Sequence, residues 1–442
     1  MTETRLHHIV ILGGGAGGLE LATKLGNTLG KKGRARITLV DAEMTHLWKP
    51  LLHEVAAGSL NSYEDELNYL AQAHWHHFHF RLGRVDMIDR DKQEISTEPR
   101  YDEEGREFIP RRNLHYDTLV IAVGSVSNDF GIPGVRENCH FIDRRQQADH
   151  FHQHLLRSCF TAQAQETPIR EGQLHIAIAG AGATGVELAA ELYTSSRELV
   201  EFGLDRINPE RDVKIMIVEA NDRILPGLPG NVSGEVAEQL RSLGIELCTG
   251  ERITEATPEG FSTRSGKFIN AEIKVWAAGI KAPDFLAGIK GLEVNRINQL
   301  QVLPTLQTTN DEYIFAFGDC ASCPMANGNG TVPPRAQAAH QQASLLAKSL
   351  PRRLAGRSLP RYRYLDYGSL ISMSRYTTVG NLMGNLARLW TTNVFVEGYF
   401  ARLVYKSLYK MHQLALHGII RVTATTLANL LTRRTKPRMK LH

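Results

Sequence analysis

The feature that most constrains this chain is an internal duplication of a strand-to-helix turn. Residues 9–18 read IVILGGGAGG and residues 176–185 read IAIAGAGATG; each apolar run ends in a glycine-rich turn and continues into helix-forming sequence, LELATKL and VELAAEL. Each copy then has a second apolar run closing on an acid, ITLVDA with Asp41 and IMIVEA with Glu219. A third run closes on a glycine, LVIAVG at Gly124 and VWAAG at Gly279. In such a unit the first glycine permits a tight turn, the second lets the backbone approach a pyrophosphate, and the third lets the helix pack on the strand. Gly13, Gly15 and Gly18 form one candidate set, and Gly180, Gly182 and Gly185 the other. The pyrophosphate belongs at the helix N-terminus, where free N–H groups and the helix dipole favour an anion. The chain is therefore expected to be α/β, with two Rossmann-like dinucleotide-binding domains. Two dinucleotides held by one chain imply electron transfer between them.

The acids stand 28 residues after Gly13 and 39 after Gly180, beyond the usual offset of about 20. A lengthened helix or loop (GKKGRAR in the first copy, SSRELVEFGLDRINPERD in the second) accounts for the excess. An acid at the end of the second strand accepts hydrogen bonds from a ribose diol and repels a 2′-phosphate. Glu219 thus favours NADH over NADPH, with Arg223 four residues on as the one feature in the other direction.

The 442 residues suffice for two or three ordinary cores. No run of 18 apolar residues occurs, so no transmembrane helix is expected. The chain enters its first strand without a basic segment and a separate apolar one, so no signal peptide is expected. Five cysteines in this length do not make a disulfide framework. Cys320 and Cys323 are spaced C-x2-C, but with no second pair they read as structural thiols. The run HWHHFHF, with His74, His76, His77 and His79, reads as incidental, and no metal is expected.

The net charge of +4 hides an asymmetry: residues 398–442 contain nine lysines and arginines and no acid. Arg402, Lys406, Lys410, Gln413 and His417 make a polar stripe at helical spacing, with Phe400, Leu403, Val404, Leu408, Met411, Leu414 and Ala415 opposite. Basic amphipathic helices of this kind lie in the membrane interface, held by apolar burial and anionic lipid. Packing on the core, an oligomer contact and nucleic-acid binding are the competing readings; no nucleic-acid motif accompanies the stripe, and none is expected to bind.

At the level of whole motifs, the chain resembles the type II NADH dehydrogenases, single-subunit NADH:quinone oxidoreductases of the two-dinucleotide-binding flavoprotein superfamily. The resemblance runs from GGGAGG through WKPLLHEVAAGSL, YDTLVIAVGS, GATGVEL, WAAGIKAPDF, GDCASC and PPRAQAAHQ to the tail. It implies FAD at the first site, NADH at the second, a membrane quinone as acceptor, and a C-terminal region seated on the cytoplasmic face of the membrane. The domains expected are residues 1–165 and 290–350 for FAD, an inserted 166–289 for NADH, and a C-terminal 351–442. A homodimer is left open.

Carried over residue by residue, the resemblance places Asp41 on the adenosine ribose, Lys49 near the flavin, Val85 on the adenine, Gly124 at the close of the third strand, and Asp319 on the ribityl or phosphate region. Glu219 takes the NADH ribose, Glu187 faces the nicotinamide–flavin junction, and Ala278 and Gly279 line the nicotinamide. Gln337 and Gln341 lie beside the flavin ring at the quinone site. On the chemistry alone, a quinone also needs two protons, and Glu187 and His340 are candidate proton carriers, with water as a route. Disulfide reductases of the superfamily carry a cysteine pair soon after the first acid; residues 46–59 contain none. A sulfide:quinone oxidoreductase and a non-enzymatic NADH-sensing flavoprotein remain alternatives, the first requiring reactive cysteines from Cys159, Cys320 and Cys323.

Overall fold

The structure, a computed structural model, describes residues 5–62, 66–373, 377–382, 394–397 and, in the tail, 410, 413, 414, 416, 422–424 and 426. In chain order, the elements that matter begin with β1 (His8–Leu12), α1 (Ala16–Leu25), β2 (Arg36–Asp41), α2 (Leu52–Ala57), α3 (Tyr69–Trp75), β3 (His79–Leu82) and β4 (Thr118–Ile121). They continue with α4 (Arg145–Ala164), β5 (Ile176–Ala179), α5 (Ala183–Glu201), β6 (Ile215–Glu219), β7 (Glu246–Thr249) and β8 (Ile273–Trp276). The last are β9 (Gln307–Thr308), β10 (Asp311–Ala316), α6 (Ala336–Leu354) and β11 (Ser369–Met373).

The chain forms two compact units. The first comprises Met1–Trp48, Glu66–Val126 and Ile280–Asp366. Its sheet has the order β9-β10-β4-β1-β2-β3. Every pairing from β10 to β3 is parallel, and only β9 runs antiparallel. All residues of β1 and β4 are buried, as the near-continuous apolar runs IVIL and TLVI require of strands covered on both faces. Helix α1 packs along α6. A π-helical turn, Gly26–Gly30, prolongs α1, and so supplies part of the extra distance to Asp41.

The second unit comprises Lys49–Asp65, Ser127–Gly279 and Tyr367–His442. Its parallel sheet, β7-β6-β5-β8, repeats the arrangement around β1. Here the excess before the acid comes from α5, 19 residues long, and the turns that follow it.

Unit boundaries differ from the sequence-based domain limits. Residues 49–65 and 127–165 group with the second unit, because α2 buries Leu52, Val55, Ala56 and Ala57 and packs on α4 and α5. His140 also bridges in parallel to Val275 of β8. Residues 280–289 and 351–366 group with the first unit. Among the described residues, no helix is long and apolar enough to cross a membrane. Of the tail's polar stripe, Arg402, Lys406 and His417 lie outside the described residues.

Candidate functional site

The two turns have the same construction. Gly13 has φ +94°, and a Cβ there would meet the Ala122 carbonyl oxygen at 2.4 Å; Gly180 has φ +99°, and its Cβ would lie 2.7 Å from the Ala277 oxygen. Both positions therefore demand glycine on conformation and on space. A Cβ on Gly18 would sit 1.8 Å from the Gly13 oxygen, and one on Gly185 2.0 Å from the Gly180 oxygen, so each third glycine lets its helix close on its turn. Gly15 and Gly182 differ: a Cβ on either meets nothing within 4 Å. Each caps its helix without a side-chain hydrogen bond, as the helix N-terminus of an anion cradle does.

The acids are tied to these turns. The Asp41 carboxylate accepts the Gly14 N–H at 2.6 Å and the Glu43 N–H at 2.8 Å. The Glu219 carboxylate accepts the Ala181 N–H at 2.8 Å and the Asn221 N–H at 2.9 Å. Each acid thus stands beside its turn despite the long intervening sequence. Arg223 donates to the Pro226 carbonyl at 3.0 Å. In the first unit, Tyr69 of α3 adds a support that sequence reasoning missed: its buried hydroxyl donates to the Gly14 oxygen at 2.8 Å.

Further hydrogen bonds tie together residues around the first turn's sheet. Ser125, just past Gly124, donates to the Asp319 carboxylate at 2.8 Å, and Gln299 donates to the Asp319 carbonyl at 2.9 Å. The Gly318 N–H, at φ +74°, donates to Gln342 of α6 at 2.8 Å. Gly83 donates to the Asp41 carbonyl at 2.8 Å, which sets the strand beginning at Val85 beside that acid. Lys49 belongs to the second unit, where its ammonium lies 3.6 Å from the Asp143 carboxylate.

Within the second unit, Glu187 of α5 is buried. One of its oxygens accepts the Ser372 N–H of β11 at 3.0 Å, and the other lies 3.7 Å from Nδ1 of His53 on α2. Burial pushes the Glu187 carboxyl up to about 8 and the His53 imidazole down to about 4. Both groups are thus driven toward their neutral forms, and the pair is not an ion pair at neutral pH. Nε2 of His53 is buried with no hydrogen-bond partner among the described residues. Gly279 closes β8 at φ +67°, where a Cβ would strike the Phe130 ring at 2.5 Å; Ala278 precedes it at half-burial.

In the first unit, α6 begins at Ala336, and its glutamines already have protein partners. Gln337 donates to the Asp366 carboxylate at 3.2 Å, beside Arg335, which pairs with the same carboxylate at 3.3 Å. Gln341 donates to the Leu365 carbonyl at 2.7 Å and accepts the Leu365 N–H at 3.0 Å, as a neighbouring strand would. The Tyr362 hydroxyl also donates to it at 3.2 Å. The two side chains hold segment 362–366 along α6, a role with no motif to announce it.

The family model of the pyridine nucleotide-disulphide oxidoreductases matches residues 7–343. A type II NADH:quinone oxidoreductase of Haemophilus influenzae is 43% identical over 450 residues, spanning 99% of this chain and 100% of that protein. The chain belongs to the type II NADH:quinone oxidoreductases. A Staphylococcus aureus member of that family is 30% identical over 383 residues, 85% of this chain and 90% of its own. The fold is that of NDH2 from Plasmodium falciparum in complex with NADH, at TM-score 0.82 and 19% identity, over 99% of this chain and 100% of that one. It is also that of the sulfide:quinone oxidoreductase of Aquifex aeolicus, at TM-score 0.71 and 17% identity, over 97% and 95%.

In this type II chain three cysteines are held toward the thiol form. Cys159, Cys320 and Cys323 are free and buried. Burial pushes their thiols up to about 11, 12 and 11, so thiolate, the reactive form, is scarce. Among the described residues, no group of three or more His, Cys, Asp and Glu is placed to hold a metal ion.

Proposed function

We propose that this protein takes a hydride from NADH at the second turn and delivers two electrons to a membrane quinone, with FAD held at the first turn, and without ion pumping. The observation that carries the reading is the pair of matched turns, each with an open second glycine and an acid bound to the turn's own N–H groups. Bound at the first turn, FAD supplies a two-electron carrier between a nicotinamide hydride and a quinone.

The chain's own groups then have distinct tasks. Gly15 and Gly182 admit pyrophosphates. Asp41 and Glu219 take ribose hydroxyls, and Asp319, braced by Ser125 and Gln299, meets the sugar-phosphate part of FAD. Val85 supports the adenine; Lys49, Gly124, Ala278 and Gly279 belong to the flavin and nicotinamide surroundings. Glu187 holds a proton at neutral pH, as a donor to a quinone oxygen requires. Gln337 and Gln341 order segment 362–366 and bear on the quinone through it.

Attachment to the cytoplasmic face of the membrane through the tail is part of this proposal. Nine cations without an acid gain roughly 1 kcal/mol each near an anionic surface.

Steady-state oxidation by FAD-loaded protein tests the reading. NADH oxidation that depends on a soluble ubiquinone analogue, with NADPH a poor substitute, supports it. Bound flavin with no nicotinamide turnover overturns it.

A further inference from the structure

Segment 128–132 of the second unit carries an aromatic ring where the backbone does not favour one. The Asp129 carbonyl accepts the Ile132 N–H at 3.0 Å, and the two residues between them, Phe130 and Gly131, have φ of +54° and +67°. That hydrogen bond with two central residues at positive φ is the pattern of a type I′ turn, which glycine, asparagine and aspartate suit. A bulky L side chain at positive φ is a steric outlier. Phe130 is also 60% exposed, so it gains little from burial in return. Folding alone leaves an aromatic here without a use, and backbone outliers of this kind gather at ligand sites.

The turn is anchored well enough to aim the ring. Asn128 accepts the Phe130 N–H on its side-chain oxygen at 3.0 Å and the buried Trp276 indole N–H on its carbonyl at 2.7 Å. Its own N–H donates to the Gly279 carbonyl at 3.2 Å. Asp129 pairs with Arg136. Ile132 and Ala278 pack against the same apolar cluster, which includes Trp276. The base of the turn is thus tied to β8 and to the residues that follow it. The ring tip rests on Gly279, where a Cβ would lie 2.5 Å from Cζ of Phe130.

Sheet order identifies what passes that point. In β7-β6-β5-β8 the second glycine-rich turn follows β5, and Glu219 ends β6 on one side of it. On the other side β8 is followed by residues 277–279. A Cβ on Gly180 would lie 2.7 Å from both the Ala277 oxygen and the Ala278 Cα, so this segment borders the turn. Ligands of such sheets lie across the carboxyl ends of the strands. A dinucleotide with its pyrophosphate at the turn and one ribose on Glu219 therefore extends its other half over the end of β8, where Phe130 stands. Aromatic rings meet there by offset stacking or edge to face.

We propose that Phe130 packs its ring against the nicotinamide of NADH and positions it for hydride transfer; this rests on the function proposed above. NADH gives a hydride, with both its electrons, to the bound FAD and leaves as NAD⁺; Phe130 itself changes no bond.

Variants of the FAD-loaded full chain test this by anaerobic rapid mixing over a range of NADH concentrations, which separates the dissociation constant of NADH from the limiting rate of flavin reduction. Phe130→Asn suits the turn and removes the ring. Its melting temperature should hold or rise. The limiting rate should fall about tenfold or more, as misplacement of a reacting group does, and the dissociation constant should rise about threefold or more, the worth of an aromatic pair. Reoxidation by a ubiquinone analogue should stay within about twofold. Phe130→Tyr keeps the ring and should reduce the flavin within about threefold of the unsubstituted rate. A ring that serves structure alone would lower the melting temperature of Phe130→Asn and leave its NADH kinetics unchanged, and that result overturns the proposal. Equal slowing of both half-reactions overturns it too. Should Phe130→Asn not fold, Phe130→Leu, which keeps apolar bulk without a flat ring, decides: slowed reduction with normal reoxidation supports the proposal, and full-rate reduction overturns it. Failure of the unsubstituted protein to be reduced by NADH would instead refute the function itself.

Discussion

Burial drives Glu187 and His53 apart in proton affinity, and this has a measurable sign. The Glu187 carboxyl, raised from 4.5 to about 8, binds its proton more tightly folded than unfolded. Its contribution to stability is full below about pH 4.5 and is lost as pH rises toward 8. His53, lowered from 6.5 to about 4, acts oppositely: its contribution is present above 6.5 and lost as pH falls toward 4. Glu187→Gln keeps an acceptor for the Ser372 N–H but cannot ionise. Melting temperatures across pH should show the variant gaining on the parent between pH 4.5 and 8, and quinone-dependent turnover should fall about 10- to 100-fold. A parallel pair of stability curves would contradict the assignment. Glu219 offers a second test at this scale. Glu219→Gln removes the charge that repels a 2′-phosphate, so the preference for NADH over NADPH in kcat/KM should shrink about tenfold, or about 1.4 kcal/mol.

At the scale of elements, the three glycines of a turn are not equivalent. Gly18→Ala places a Cβ 1.8 Å from the Gly13 oxygen, so it should lower the melting temperature of the flavin-free protein and abolish FAD retention. Gly15→Ala meets nothing within 4 Å; the flavin-free melting temperature should hold while FAD binding weakens, as read by flavin retained on gel filtration. The glycine spacing was legible in the sequence because it is a backbone demand that few residues satisfy. The acids were legible as residue types at strand ends, and α1 with its π turn shows why their offset could be long. What stayed hidden depends on contacts across the chain. Tyr69 bonds Gly14 across 55 positions and His340 bonds Glu20 across 320. The lone acid in LELATKL was the available clue to the second of these. Gln341 looked free to bind a ligand, yet its amide is shared with the Leu365 backbone.

For the whole molecule, the duplication written in the sequence reappears as two sheets with parallel cores and matched turns, one per unit. The partition of the chain was less legible, since α2 joins α4 and α5 through apolar packing that carries no motif. The tail's charge should be visible in binding: cosedimentation with vesicles should rise with anionic lipid and fall with salt, as surface attraction is screened. The central claim is that one chain joins NADH oxidation to quinone reduction through a bound flavin. The most direct measurement is anaerobic addition of a single equivalent of NADH to the FAD-loaded protein, followed by a single equivalent of a ubiquinone analogue. Flavin absorbance should bleach with NADH, return with quinone, and leave matching amounts of NAD⁺ and quinol. Bleaching that quinone does not reverse, or no bleaching at all, would contradict it.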